Sequence, residues 1–251
     1  MRQWLFEKVA NVVRHSRFEI GLRELRRDVV FSRLIAQHIR DDERMKAIYA
    51  YVIQRDFNCL DIGAHRGEFL RVFQQLAPKG RHFAVEPLPH LAKELRENFP
   101  SVTIHEVALS DESGTLDFNY VPEWEGWSGL RESKYPTKAA VQKLKVSVTT
   151  LDELLPSDYV PNLIKIDVEG AEIQTFKGAV RTLERHRPFL VFEHFVDAYT
   201  AFGAKPEELW DFLVTKLDYR IFSVMGRGPL PRDEFARLSN ERKCWNYVAH
   251  G

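Results

Sequence analysis

The sequence predicts an α/β protein: a Rossmann-like, doubly wound parallel sheet with a terminal antiparallel β-hairpin and an N-terminal helical extension. Three observations predict it. Short apolar runs that end in acids, at 59–61, 82–86 and 163–169, alternate with segments whose apolar residues recur at helical spacing. The first run turns through Gly63 and enters a helix at Gly67, which leaves unpaired N–H groups and a positive dipole end facing a cleft. Two further apolar runs, 219–225 and 244–249, close the chain as an antiparallel pair across a long loop.

Residues 1–54 form the extension. Trp4, Leu5, Val9, Val12 and Val13 recur at helical spacing, as do Leu22, Leu25, Val29 and Leu34. Its basic, amphipathic character admits a membrane-surface or lipid-linked-substrate role, but the preferred reading is a helical cap on the core or on a second subunit, the contact of a homo-oligomer. Asp41 and Asp42 read as an N-cap for a helix striped by Met45, Ile48, Tyr49, Val52 and Ile53.

Residues 55–251 form the main domain. A helix over 68–76 is stopped by Pro78 and Gly80, a strand over 82–86 follows, and a helix over 91–99 turns Leu91, Leu95 and Phe99 inward. A third strand spans 102–107. Residues 114–150 break the alternation and read as a strand-and-loop insert over the mouth of the cleft, in which Trp124 and Trp127 either cover a substrate or close a hydrophobic lid. Strands over 163–168 and 188–192 flank a helix carrying Ile173, Phe176, Val180 and Leu183, and 210–217 is helical.

Lys plus Arg and Asp plus Glu number 36 each, so no net field draws the protein to nucleic acid. The charge is uneven: residues 1–40 hold nine basic and four acidic residues, a surplus of five that the remainder balances. Cys59 and Cys244 fit a reduced compartment, Cys59 as a buried strand residue. No apolar stretch reaches membrane-spanning length, and a cytoplasmic location is expected.

The acid-ended strands describe a nucleoside site. Glu86, at the end of the second strand, is placed to accept both ribose hydroxyls. The glycines of the first turn stand four apart, with Ala64, His65 and Arg66 between them, unlike the G-x-G-x-x-G of dinucleotide folds. Asp61 before the turn would repel a pyrophosphate, so acid plus glycine turn suits a cationic amino-acid tail such as that of S-adenosylmethionine. Ala108 and Leu109, followed by Ser110-Asp111, lie at the rim where an adenine would sit.

DIGAHRGEF, VEP, ALSDESG, TLDEL and KIDVEGAEIQTFKGA together resemble the FkbM family of S-adenosylmethionine-dependent methyltransferases, over roughly 55–249. The resemblance implies a seven-stranded sheet, S-adenosylmethionine as methyl donor, and O-methylation of a hydroxyl on a sugar, glycan or natural product. By position it assigns Asp61, Gly63 and Gly67, with Ala64 in the same turn, to the amino-acid end, Glu86 to the ribose and Ala108-Leu109 to the adenine. Gln174 to Lys177 stand where many members carry an aliphatic pair, a departure that bears on helix packing.

A sugar hydroxyl is a poor nucleophile, so a base or a metal helps. Asp167, Glu169, Glu193 and His194 are the catalytic candidates, with His194 or Glu169 as base and Asp167 near the sulfonium. A divalent cation, magnesium or manganese, would take Asp167, Glu193 and His194. Against these stand plainer readings: Glu172 as a first-turn acid, His194 as a core histidine, Lys165 as a neutraliser of Asp167, and His65 and Arg66 as solvent-facing. Two other function classes remain open, a nicotinamide-dependent oxidoreductase and a cofactor-binding module without turnover.

Overall fold

The computed structural model describes residues 36–131 and 140–251. The expectations for the helices of 1–35 lie outside the described residues. The chain divides into two compact units, 1–43 and 44–251. Residues 36–43 and 44–52 are each helical, so Asp41 and Asp42 stand within a helical run and do not cap one. Among the described residues, no helix is long and apolar enough to cross a membrane.

The second unit is built on a seven-stranded sheet of order β3-β2-β1-β7-β8-β10-β9. Its strands are β1 (Cys59–Ile62), β2 (Phe83–Val85), β3 (Thr103–His105), β7 (Leu163–Ile166), β8 (Phe189–Glu193), β9 (Arg220–Ser223) and β10 (Asn246–His250). The first five run parallel, and β10 lies antiparallel to both β8 and β9. The apolar runs have a direct cause: β1, β2 and β7 are buried along their whole length, covered on both faces. One face sends Leu60, Ile62, Ile164, Ile166 and Phe192 into a core with Phe176, Leu183, Leu213 and Tyr247. The other sends Cys59, Ala84, Leu163 and Val191 against Tyr49, Leu70 and Phe73. Tyr49 meets Phe69 and Phe73 edge-on, which seats helix 44–52 on that face.

Because β2 and β7 flank β1, the chain reverses direction across the sheet at β1, and the crevice outside the carboxyl ends of these strands is where such sheets take ligands. The 114–150 segment supplies two strands, β5 (Gly114–Tyr120) and β6 (Gln142–Thr149), which with β4 (Ala108–Leu109) make a second, three-stranded sheet of order β4-β6-β5. The strand expected over 102–107 is shorter, Thr103–His105, and the residues that follow it form a separate strand. Thr103–His105 pairs with β2, whereas Ala108 and Leu109 pair with β6 in the other sheet.

Candidate active site

The turn after β1 is held by backbone bonds across the sheet edge. Gly63 and Ala64 both donate to the Val85 carbonyl, at 3.0 and 3.1 Å. Gly63 has φ 75°, and a Cβ there would stand 1.7 Å from the Asp167 carbonyl oxygen, so both conformation and space demand glycine. Gly67, also at φ 75°, precedes the helix Glu68–Leu76, with Phe99 against the place of its missing Cβ. Glu86 ties two turns together: Oε2 accepts from the His65 amide at 2.9 Å and Oε1 from the Leu88 amide at 3.0 Å. Each oxygen keeps a second acceptor lobe. Burial raises its pKa to about 7, although the two amides oppose the shift.

Asp61 is only 1% exposed, so the cation facing it is Lys165 rather than a ligand. Lys165 Nζ lies 3.2 Å from Asp61 Oδ1, 3.4 Å from Asp167 Oδ2 and 3.3 Å from the Gly63 carbonyl oxygen. Burial would lower the Lys165 pKa, but the Asp61 and Asp167 carboxylates outweigh it and the pKa is raised. Burial raises the Asp61 pKa, and Lys165 offsets only part of that shift. Neutralisation of Asp167 by Lys165, the plainer expectation, is thus half of what this side chain does. It also supports the glycine turn from beneath. A lysine in the middle of a fully buried strand was the available signal, since such a charge is buried only when paired.

Asp167, Glu169 and Glu193 converge, each placing a carboxylate oxygen within 4.8 Å of the others. The expected reason was strand alternation, and the structure corrects it. The strand ends at Ile166, and Glu169 has φ 53°, so a turn and not the pleat brings Glu169 beside Asp167. Glu193 arrives from the end of β8. Burial first, and Asp167 second, push Glu169 and Glu193 well above the usual carboxylate range. Glu172 closes the same turn, its Oε1 accepting from Gly170 N at 3.1 Å, and burial raises it to about 7.

His194 does not join this group. It is 1% exposed and stacked on Tyr199 at 4.2 Å and on Phe235 at 5.7 Å. Neither ring nitrogen has a hydrogen-bond partner among the described residues, and burial lowers its pKa to about 3. Its assignments as base and as metal ligand are therefore corrected. Glu193 and His194 are successive residues, and at a strand end they face opposite sides of the sheet. Glu169 takes the third place in the cluster.

Ala108 and Leu109 are buried, Ala108 among Leu88, Leu91 and Phe118 and Leu109 in the main core, so what they offer a ligand is backbone. Arg66 is half exposed but not merely solvent-facing: it pairs with Glu94 at 2.7 Å and with Glu125 of the insert at 2.5 Å. No sequence pattern marked Glu125. Trp127 sets its ring edge-on to Phe195, at 6.2 Å.

Residues 61–221 match the model of the Methyltransferase FkbM domain. The chain belongs to the FkbM methyltransferase family. The nicotinamide reading is accordingly disfavoured. The 2-O-methyltransferase NoeI of Sinorhizobium fredii is 32% identical over 144 residues, covering 51% of this chain and 59% of that protein. Methyltransferase 1 of Beauveria bassiana is 26% identical over 141 residues, covering 47% of this chain and 57% of that protein. The matches thus span less than two thirds of these relatives. Similar solved structures include Methyltransferase FkbM from Methylobacillus flagellatus KT, with a TM-score of 0.49 and 18% identity over 79% of this chain and 44% of that one. The plantazolicin methyltransferase BpumL in complex with SAH has a TM-score of 0.48 and 10% identity over 93% of this chain and 88% of that one.

Proposed function

We propose that this FkbM-family protein transfers the methyl group of S-adenosylmethionine to a hydroxyl of a sugar, glycan or natural-product small molecule. The observation that carries the reading is the carboxyl edge itself. A glycine turn and Glu86 with two spare acceptor lobes lie on one side of β1, and three converging carboxylates lie on the other. The amino-acid end of the donor runs along Gly63, Ala64 and Gly67, with the ribose on Glu86 and the adenine beside the backbone of Ala108 and Leu109. Asp167, whose side chain is 34% exposed, is the acid left facing the donor's cationic end, because Asp61 is covered.

Transfer is an in-line displacement: the acceptor oxygen forms a bond to the methyl carbon as the sulfur–methyl bond breaks, and the sulfur leaves as a neutral thioether. The hydroxyl proton goes to Glu169 or Glu193, whose raised pKa values suit a carboxylate that must hold it. The 2-O-methyltransferase activity in NoeI's name supports oxygen as the methylated atom. The buried thiol of Cys59 supports a cytoplasmic setting.

A second reading adds a divalent cation. Carboxylate oxygens are the donors that magnesium and manganese take, and Asp167, Glu169 and Glu193 fit that set. There the ion would polarise the acceptor hydroxyl.

Isothermal titration tests the donor: S-adenosylhomocysteine should bind and NADH should not, and the reverse pattern ends the proposal. A panel of glycans and hydroxylated metabolites with a labelled methyl donor then identifies the acceptor. Loss of label transfer on chelation, restored by magnesium or manganese, selects the cation reading.

A further inference from the structure

We propose that Glu125 is a positioning residue that fastens the 119–129 loop to the glycine turn through Arg66, so that donor binding and the placement of Glu169 are coupled. The inference rests on the reading of that turn as the donor site.

The loop is a closed unit. Asn119 N donates to the Gly129 carbonyl at 2.8 Å, Gly129 N returns a bond to Asn119 at 3.1 Å, and Val121 N donates to Ser128 Oγ at 3.0 Å. Glu125 projects from its helical turn, Pro122–Trp127, and joins three elements. Oε2 accepts from Arg66 Nη2 at 2.5 Å, while Oε1 lies 2.9 Å from His90 Nε2 and accepts from Tyr120 Oη at 3.0 Å. Arg66 stands between the two glycines of the turn and is braced from the far side by Glu94.

At the loop's other end its backbone rests on the catalytic turn. A Cβ at Gly129 would come within 3.2 Å of Glu169 Cβ and 3.5 Å of the Glu169 carbonyl oxygen. Glu169 itself has φ 53°, a conformation that a non-glycine residue keeps only when its neighbours hold it. One closed loop thus touches the turn that would take the donor and the residue that would take the acceptor's proton. An exposed ion pair alone contributes little. Glu125, however, is 18% exposed at its side chain and collects three partners, two of them, Arg66 and His90, from outside the loop. Burial pushes its carboxyl up, and those partners outweigh burial and hold it low.

Hydrogen exchange of the full-length protein, with and without S-adenosylhomocysteine, tests the coupling, with calorimetry measuring affinity in parallel. In the wild type, the ligand should slow exchange at the 119–129 amides by about 3- to 10-fold. Glu125→Gln and Arg66→Met should each abolish that slowing and weaken the ligand by no more than the same factor, as reciprocity requires. Arg66→Lys should keep most of it. If the variants speed exchange equally with and without ligand, Glu125 is only a structural anchor and the proposal falls. It also falls if ligand leaves wild-type exchange at 119–129 unchanged. If the wild type binds no S-adenosylhomocysteine at all, the donor-site reading fails first, and calorimetry distinguishes that case.

Discussion

Lys165→Met tests the buried charge arrangement beneath the glycine turn. At an effective dielectric of 20, unit charges 3.2 Å apart, the Lys165–Asp61 separation, attract by about 5 kcal/mol. Part of that offsets the desolvation of both groups, so the pair's net worth is smaller. Removing one partner is a different matter, because Asp61 is left 1% exposed with no cation. Its escape is to take up a proton, and protonating an acid of ordinary pKa at pH 7 costs about 4 kcal/mol. That agrees with the ~3–5 kcal/mol expected for breaking a buried pair. Because burial already raises the Asp61 pKa in the wild type, the variant should lose up to about 4 kcal/mol at pH 7, or up to roughly 8–16 °C in Tm for a domain of this size. The loss should carry a pH signature. Burial already raises the Asp61 pKa in the wild type, and loss of Lys165 raises it further, so the added penalty is absent below the unfolded pKa and grows as pH rises; at pH 5 it should be no more than about 1.5 kcal/mol. Lys165 adds no slope there, since its raised pKa keeps it charged throughout. Urea titrations at pH 5 and pH 7 measure this directly. Asp61→Asn added to Lys165→Met should recover more than half of the loss. A loss under about 1 kcal/mol, or one equal at both pH values, would refute the account.

Three other outcomes follow from the site. Glu86 has a pKa of about 7 and must be ionised to accept two ribose hydroxyls, so donor affinity should rise as pH increases through 7 and level off above it; in Glu86→Gln, affinity should be weak and flat with pH, as read by calorimetry. Gly63→Ala should abolish donor binding and cost stability, because the new Cβ would sit 1.7 Å from the Asp167 carbonyl oxygen at a positive φ. His194→Phe should bind S-adenosylhomocysteine as the wild type does and resist acid better. With its pKa near 3, the folded histidine takes no proton where the unfolded one does, so the wild type loses up to ~1.4 kcal/mol per pH unit below about 6.5, and acid titration of both proteins would show the difference.

The elements with the strongest local signals were legible. The helix Glu68–Leu76 is bounded by Gly67 and the Ala77-Pro78 stop, and the terminal pair stands where its apolar runs placed it. What failed was inference across an element's end. The pleat justified neither Glu169, which a left-handed turn delivers, nor His194, which the pleat turns away. Gln174 to Lys177, outside the family's usual aliphatic pair, still pack: Thr175 and Phe176 are fully buried, and Thr175 Oγ1 donates to the Leu109 carbonyl at 3.5 Å. The Glu125 contacts were beyond reach, because a surface acid in a loop acquires partners only from tertiary placement.

The sequence suggested that acids at two strand ends pin a cation, and the structure divides that work. Asp61 is spent on Lys165, an internal cation held in the sheet, while Asp167 shares that lysine and keeps a solvent-facing side. Around them, along the crevice, burial raises the pKa of Glu86, Glu169, Glu172 and Glu193, with Asp167 adding to the shift at the last three. Such a crevice favours a ligand that brings positive charge. Under the proposed reaction the donor carries that charge in and loses it as the methyl group leaves, because the sulfonium becomes a neutral thioether. The ionised acids of the crevice, Asp167 foremost, therefore hold the spent product less strongly than the donor, which assists turnover.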